Sequence, residues 1–137
     1  MKLVVHGQET YAYTGGKPFD PTLPTIAFVH GALNDHSVWT LLARWAAHHG
    51  YSVLAVDLPG HMRSAGTALT SVEAMADWLL ALLDAAGVRQ AALAGHSLGC
   101  EAFHPTAPEP EGRAISTIVS LALADARINA DQVEHIN

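Results

Sequence analysis

One serine stands out by its neighbours. Gly95-His96-Ser97-Leu98-Gly99 sets Ser97 between two glycines, each one residue removed. This G-x-S-x-G spacing suits a tight strand-to-helix turn, where small neighbours spare a strained backbone from collision and leave the serine oxygen exposed. The same turn aims the N-terminus of the next helix at that oxygen, so the Leu98 N–H and the helix dipole can stabilise an oxyanion. At this chain's glycine and serine usage the pattern arises by chance in roughly 4% of sequences this long, so its context decides its weight. Two further motifs agree with it. His30-Gly31-Ala32 follows the apolar run Thr25–Val29, where a second oxyanion N–H is needed from the neighbouring strand's loop. Asp57-Leu58-Pro59-Gly60-His61 follows the next apolar run.

Those motifs need strands in front of them. Apolar runs of strand length alternate with helical periods, the pattern of a parallel sheet covered on both faces. Residues 3–6 and 11–13 read as an opening hairpin, while Thr25–Val29, 53–56 and 91–94 are continuous apolar runs suited to burial on both faces. Between them, Val38, Leu41, Leu42 and Trp45 recur at helical spacing, with Gly50 placed to stop the helix. Val72, Met75, Leu79, Leu82, Leu83 and Ala86 form a second stripe, opened by a capping box at Thr70 and Glu73 and closed by Gly87. The expected sheet order is 1-2-4-3-5, with the first two strands antiparallel to their neighbours and the rest joined by right-handed crossovers. Trp39, Trp45 and Trp78 read as core residues. The last strand would then be an apolar edge, which invites self-association unless residues 133–136 cover it.

Composition narrows the partners. The 137 residues are 50% hydrophobic and 15% charged, which fits one compact domain. Seven basic against thirteen acidic side chains give a net charge of −6 with the basic groups scattered, the wrong sign for a nucleic-acid binder. No apolar run reaches the roughly 18 residues of a membrane span, and the start reads as too short for a signal peptide, so the expected location is cytoplasmic. Cys100 is the only cysteine, and no His-Glu-x-x-His pair occurs among nine histidines, so no metal or cofactor is expected.

In order and spacing, residues 24–99 resemble the α/β-hydrolase superfamily, through the His-Gly motif, the Asp-x-Pro-Gly-His loop and the Gly-His-Ser-x-Gly elbow. The resemblance implies a truncated α/β-hydrolase-like fold, with a mainly parallel sheet and helices on both faces. It makes Ser97 the catalytic nucleophile and the backbone N–H groups of Ala32 and Leu98 the oxyanion hole. A serine at the elbow implies a small-molecule acyl substrate with an ester, thioester or amide bond, because relatives that attack haloalkanes or epoxides carry a carboxylate there. Met62 stands where members usually have a second glycine. His30, His61 and His96 read as loop-bracing side chains, and none is assigned as the base.

The same resemblance requires an acid and then a histidine on later strands. Asp125, Asp131 and His135 follow Ser97 in that order but too close together to come from separate strands, so the triad is expected to be incomplete and activity impaired. The sequence also changes character near residue 100. Residues 1–99 hold ten of the eleven glycines and a net charge of −2; residues 100–137 carry −4, with Pro105, Pro108 and Pro110 interrupting any helix after the elbow. Residues 113–127 still carry a helical stripe in Ile115, Ile118, Val119 and Ala122. This tail resembles type II β-ketoacyl-acyl carrier protein synthases, through His104-Pro105-Thr106-Ala107-Pro108 and its distance to Val133-Glu134-His135-Ile136-Asn137. Cys100 reads as a packed small residue rather than that family's nucleophile. The expected division is therefore 1–99 as the N-terminal half of a hydrolase domain and 100–137 as a ketosynthase-like segment. The rival readings are a non-catalytic chimeric or truncated product and an acyl-carrier contact segment.

Overall fold

The hairpin comes first, and its turn explains its register. The computed structural model describes residues 1–96. β1 (Lys2–Val5) and β2 (Gln8–Tyr13) pair antiparallel across His6 and Gly7, whose φ values are 49° and 75°. Positive φ at both central residues is the two-residue turn whose twist matches that of the strands. β3 (Thr25–Val29), β4 (Ser52–Val56) and β5 (Ala91–Gly95) are parallel, and the sheet order is β1-β2-β4-β3-β5, with β2 antiparallel to β4. That is the predicted order. β2 starts three residues earlier than predicted, and β5 ends the sheet among the described residues.

Alternate residues of the central strands feed two cores. Ala27 and Val29, Leu54 and Val56, and Ala91 and Leu93 face one side with α2 (Val72–Ala85), whose Met75, Trp78, Leu79, Leu82 and Leu83 are buried. Phe28, Val53, Ala55 and Ala94 face the other, against a 3₁₀ turn (His36–Trp39) and α1 (Thr40–His48). Helices on both faces are thus observed. No described helix is long and apolar enough to cross a membrane.

Two helix expectations need correction. The stripe Val38, Leu41, Leu42 and Trp45 is not the buried face of α1; Leu41 is 83% and Trp45 57% exposed. The helix instead buries Ala43, Ala46 and Ala47, with Trp39 from the preceding turn. Small side chains let the helix axis sit close to β4, which large ones would prevent. The N-cap of α2 is Ser71 rather than Thr70: its Oγ accepts from the Ala74 N–H at 3.0 Å. Both helix stops are as predicted. Tyr51 N–H returns to Ala46 O across Gly50, and Val88 N–H to Leu83 O across Gly87, with both glycines left-handed.

Met62 adopts φ 44°, which explains why a glycine suits that position. Relieving a left-handed non-glycine residue gains about 1–2 kcal/mol, offset by about 0.5–1 kcal/mol of added chain entropy. Because Met62 is 71% exposed, Met62→Gly loses little packing. Its urea midpoint is expected to rise slightly, and a fall would show that the side chain stabilises the loop.

Candidate active site

Register places the site. Val29 pairs with both Val56 and Gly95, so β3, β4 and β5 end level and release residues 30, 57 and 96 side by side at the carboxyl edge. The His96 N–H donates to Val29 O at 3.0 Å, extending the β3–β5 ladder one step beyond the strand. Ser97, the next residue, lies outside the described residues, as do Leu98, Cys100, Asp125, Asp131, His135 and the predicted helix at 113–127.

The loop after β3 is tied at its start by His30. The ring is fully buried; Nδ1–H donates to Gly31 O at 2.6 Å and Nε2 accepts from the Leu58 N–H at 3.0 Å. Burial holds its pKa below the ordinary histidine range, more than the Gly31 bond raises it, which suits the neutral ring that an accepting Nε2 requires. Next comes a turn in which Asn34 N–H reaches Gly31 O, with Leu33 at φ 63° and 96% exposed. Positive φ at the third turn residue normally calls for glycine or asparagine. Among the described residues, no acceptor meets the Ala32 N–H. Ala32 is exposed at the same edge as His96.

Asp57 ties the far end of that loop. Its side chain is fully buried. Oδ1 accepts the His36 backbone N–H and the His36 Nδ1–H, both at 2.8 Å, and Oδ2 accepts the Arg63 N–H at 3.2 Å. Ser64 Oγ donates to Asp57 O at 2.6 Å and accepts the Tyr11 N–H, joining the loop after β4 to β2. The His36 ring lies 5.0 Å from Tyr11, whose other neighbour is the Arg63 guanidinium at 4.8 Å. Asp35, His36 and Asp57 offer ligand atoms within 4.8 Å of one another. Those atoms already have partners, since Asp35 caps the Ser37 N–H at 2.7 Å. The cluster therefore reads as a brace.

The three loop histidines behave differently. His30 and His61 brace their loops, His61 through Nδ1 to Pro59 O at 3.0 Å and against the His30 ring. Among the described residues the buried His96 Nδ1 meets no partner, and the backbone N–H of His96 is what ties it to β3. Sequence reasoning did not single out His36. Asp57 carried a signal: it directly follows the apolar run 53–56, and a carboxylate buried at such a strand end needs protein donors.

A sheet of this order, with polar loops gathered at the carboxyl edge of its parallel strands, defines an α/β protein, a class in which ligands bind as a rule outside that edge. Comparison with known proteins is more specific: the alpha/beta hydrolase family matches residues 26–134, and the chain belongs to that family. A 2-succinyl-6-hydroxy-2,4-cyclohexadiene-1-carboxylate synthase of Serratia proteamaculans is 31% identical over 91 residues, covering 65% of this chain and 35% of that protein. The crystal structure of a bacterial membrane phospholipase A superposes with a TM-score of 0.66 at 30% identity, over 74% of this chain and 32% of that one. The chain thus spans about a third of the length of these relatives. A 3-oxoacyl-(acyl-carrier-protein) synthase 2 of Synechocystis shares 36% identity over 45 residues, 33% of this chain and 11% of that protein, a short partial match.

Proposed function

We propose that the chain carries the nucleophile half of a serine hydrolase acting on ester, thioester or amide bonds of a small acyl substrate. Ser97 is the nucleophile, and the Ala32 and Leu98 N–H groups form the oxyanion hole. The observation that carries this reading is the level ending of β3 and β5. It sets the turn bearing the Ala32 N–H, which meets no acceptor among the described residues, beside the strand that leads into Gly95-His96-Ser97-Leu98-Gly99. The serine hydroxyl needs a base to become nucleophilic. No residue among these 137 is assigned that role, so the chain by itself reacts slowly.

A fluorophosphonate probe tests this on the full chain. Slow labelling at Ser97, abolished by Ser97→Ala, is expected, at a rate at least about 10³-fold below that of a complete triad. No labelling of the unaltered chain would overturn the reading. Fast labelling lost in His135→Ala would show that the tail supplies a base.

A second reading rests on the change of composition near residue 100 and on the short synthase match. In it, residues 100–137 are a ketosynthase-like segment joined to the hydrolase half, and the product is non-catalytic. The family match runs on to residue 134, across that boundary. One contiguous genomic read through codons 95–140 decides between a join and a single continuous hydrolase.

A further inference from the structure

A buried carboxylate facing one loop end is a strong constraint on that loop. Removing a charged oxygen from water costs several kcal/mol unless protein donors replace the lost hydration. Asp57 meets this requirement with three donors, two of them from His36. His30 fixes the other end of the same segment through Leu58. Between these anchors lie only residues 31–35, including a turn that places Leu33 in a conformation costly for a branched side chain. Free to relax, such a turn would flip its central Ala32–Leu33 peptide, reversing the Ala32 carbonyl and the Leu33 N–H and loosening the segment that carries the Ala32 N–H.

We propose that His36 and Asp57 are positioning residues that hold the 31–34 turn in its strained form and so keep the segment that carries the Ala32 N–H in place for the oxyanion. The inference rests on the serine-hydrolase reading for what that N–H does, but the clamp itself is a property of the loop. The His36 ring is the adjustable part. Its backbone N–H alone would cap Asp57, whereas the ring adds a second bond to the same oxygen and packs against Tyr11. An asparagine at 36 can present a side-chain N–H near the position of Nδ1; an alanine cannot.

The experiment uses the full chain with His36→Ala and His36→Asn. Amide exchange at Asn34, bonded to Gly31 O, reports the turn; exchange at Ala27 and Leu54 reports the sheet. Fluorophosphonate labelling at Ser97 is separated into probe binding and the covalent step. His36→Ala is expected to speed Asn34 exchange about tenfold with sheet exchange unchanged. It should also slow the covalent step by a similar factor with binding unchanged, and His36→Asn should restore both. Unchanged Asn34 exchange in His36→Ala overturns the proposal. So does equal acceleration in the sheet, which would mean that His36 only supports the fold, and so does failure of asparagine to rescue. If the unaltered chain does not label, the serine-hydrolase reading fails, and Asn34 exchange alone still decides whether the clamp exists.

Discussion

Replacing Trp78 with alanine is expected to remove about 3–5 kcal/mol of stability. Trp78 is 2% exposed and sits in the α2-side core with Val5, Leu54 and Leu93, so its truncation leaves a cavity in a close-packed interior. Single domains have about 5–15 kcal/mol in total, so the loss shifts the urea midpoint far down or unfolds the chain. Trp45→Ala is the matched control: the side chain is 57% exposed, and its change should stay within about 0.5 kcal/mol. Equal losses at the two positions, read by circular dichroism during urea unfolding, would contradict the packing of α1.

That contrast also marks where the sequence was legible. The central strands were readable because burial on both faces demands continuous apolar runs, and 25–29, 53–56 and 91–94 have them. α2 was readable because fourteen residues let large side chains repeat on one face. α1 misled because nine residues bury alanines while Val38, Leu41, Leu42 and Trp45 point outward. A 3₁₀ turn before it also shifts the phase of any stripe that starts at Val38. Ala43, Ala46 and Ala47 lie at helical spacing too, but three alanines carry little weight beside three larger apolar residues in the same helix.

The site was legible in its motifs and not in its wiring. His30, Asp57 and the Gly-x-Ser-x-Gly run mark strand ends by type and order, and the structure sets residues 30, 57 and 96 level. The partner of Asp57 was hidden because His36 lies 21 residues away in sequence and is one of nine histidines with no distinguishing spacing. Its role exists only once β3 and β4 are in register. Leu33 gave no sign of its positive φ, because nothing in a leucine announces a conformation imposed by anchors on either side.

Gly15→Ala is expected to destabilise the chain by about 2–5 kcal/mol, combining left-handed strain with overpacking. Gly15 has φ 77°, and a Cβ there would lie 2.5 Å from Ala43 O and 2.6 Å from Ala47 Cβ. One of those contacts is backbone, so no rotamer change relieves it. The helix would have to move away from the turn, and α1 has little room to do so because its alanine face is already against β4. Gly16 separates strain from collision. It has φ 84°, but the nearest atom to an added Cβ is the Tyr13 hydroxyl at 3.9 Å, so Gly16→Ala should cost only the backbone share, about 1–2 kcal/mol. Denaturant midpoints of the two variants measure the difference. A clear excess at Gly15 means that α1 is held against the residue 14–16 turn by close backbone approach, which is why small residues rather than large ones face inward there. Equal costs at the two glycines would mean that α1 does not pack where the structure places it.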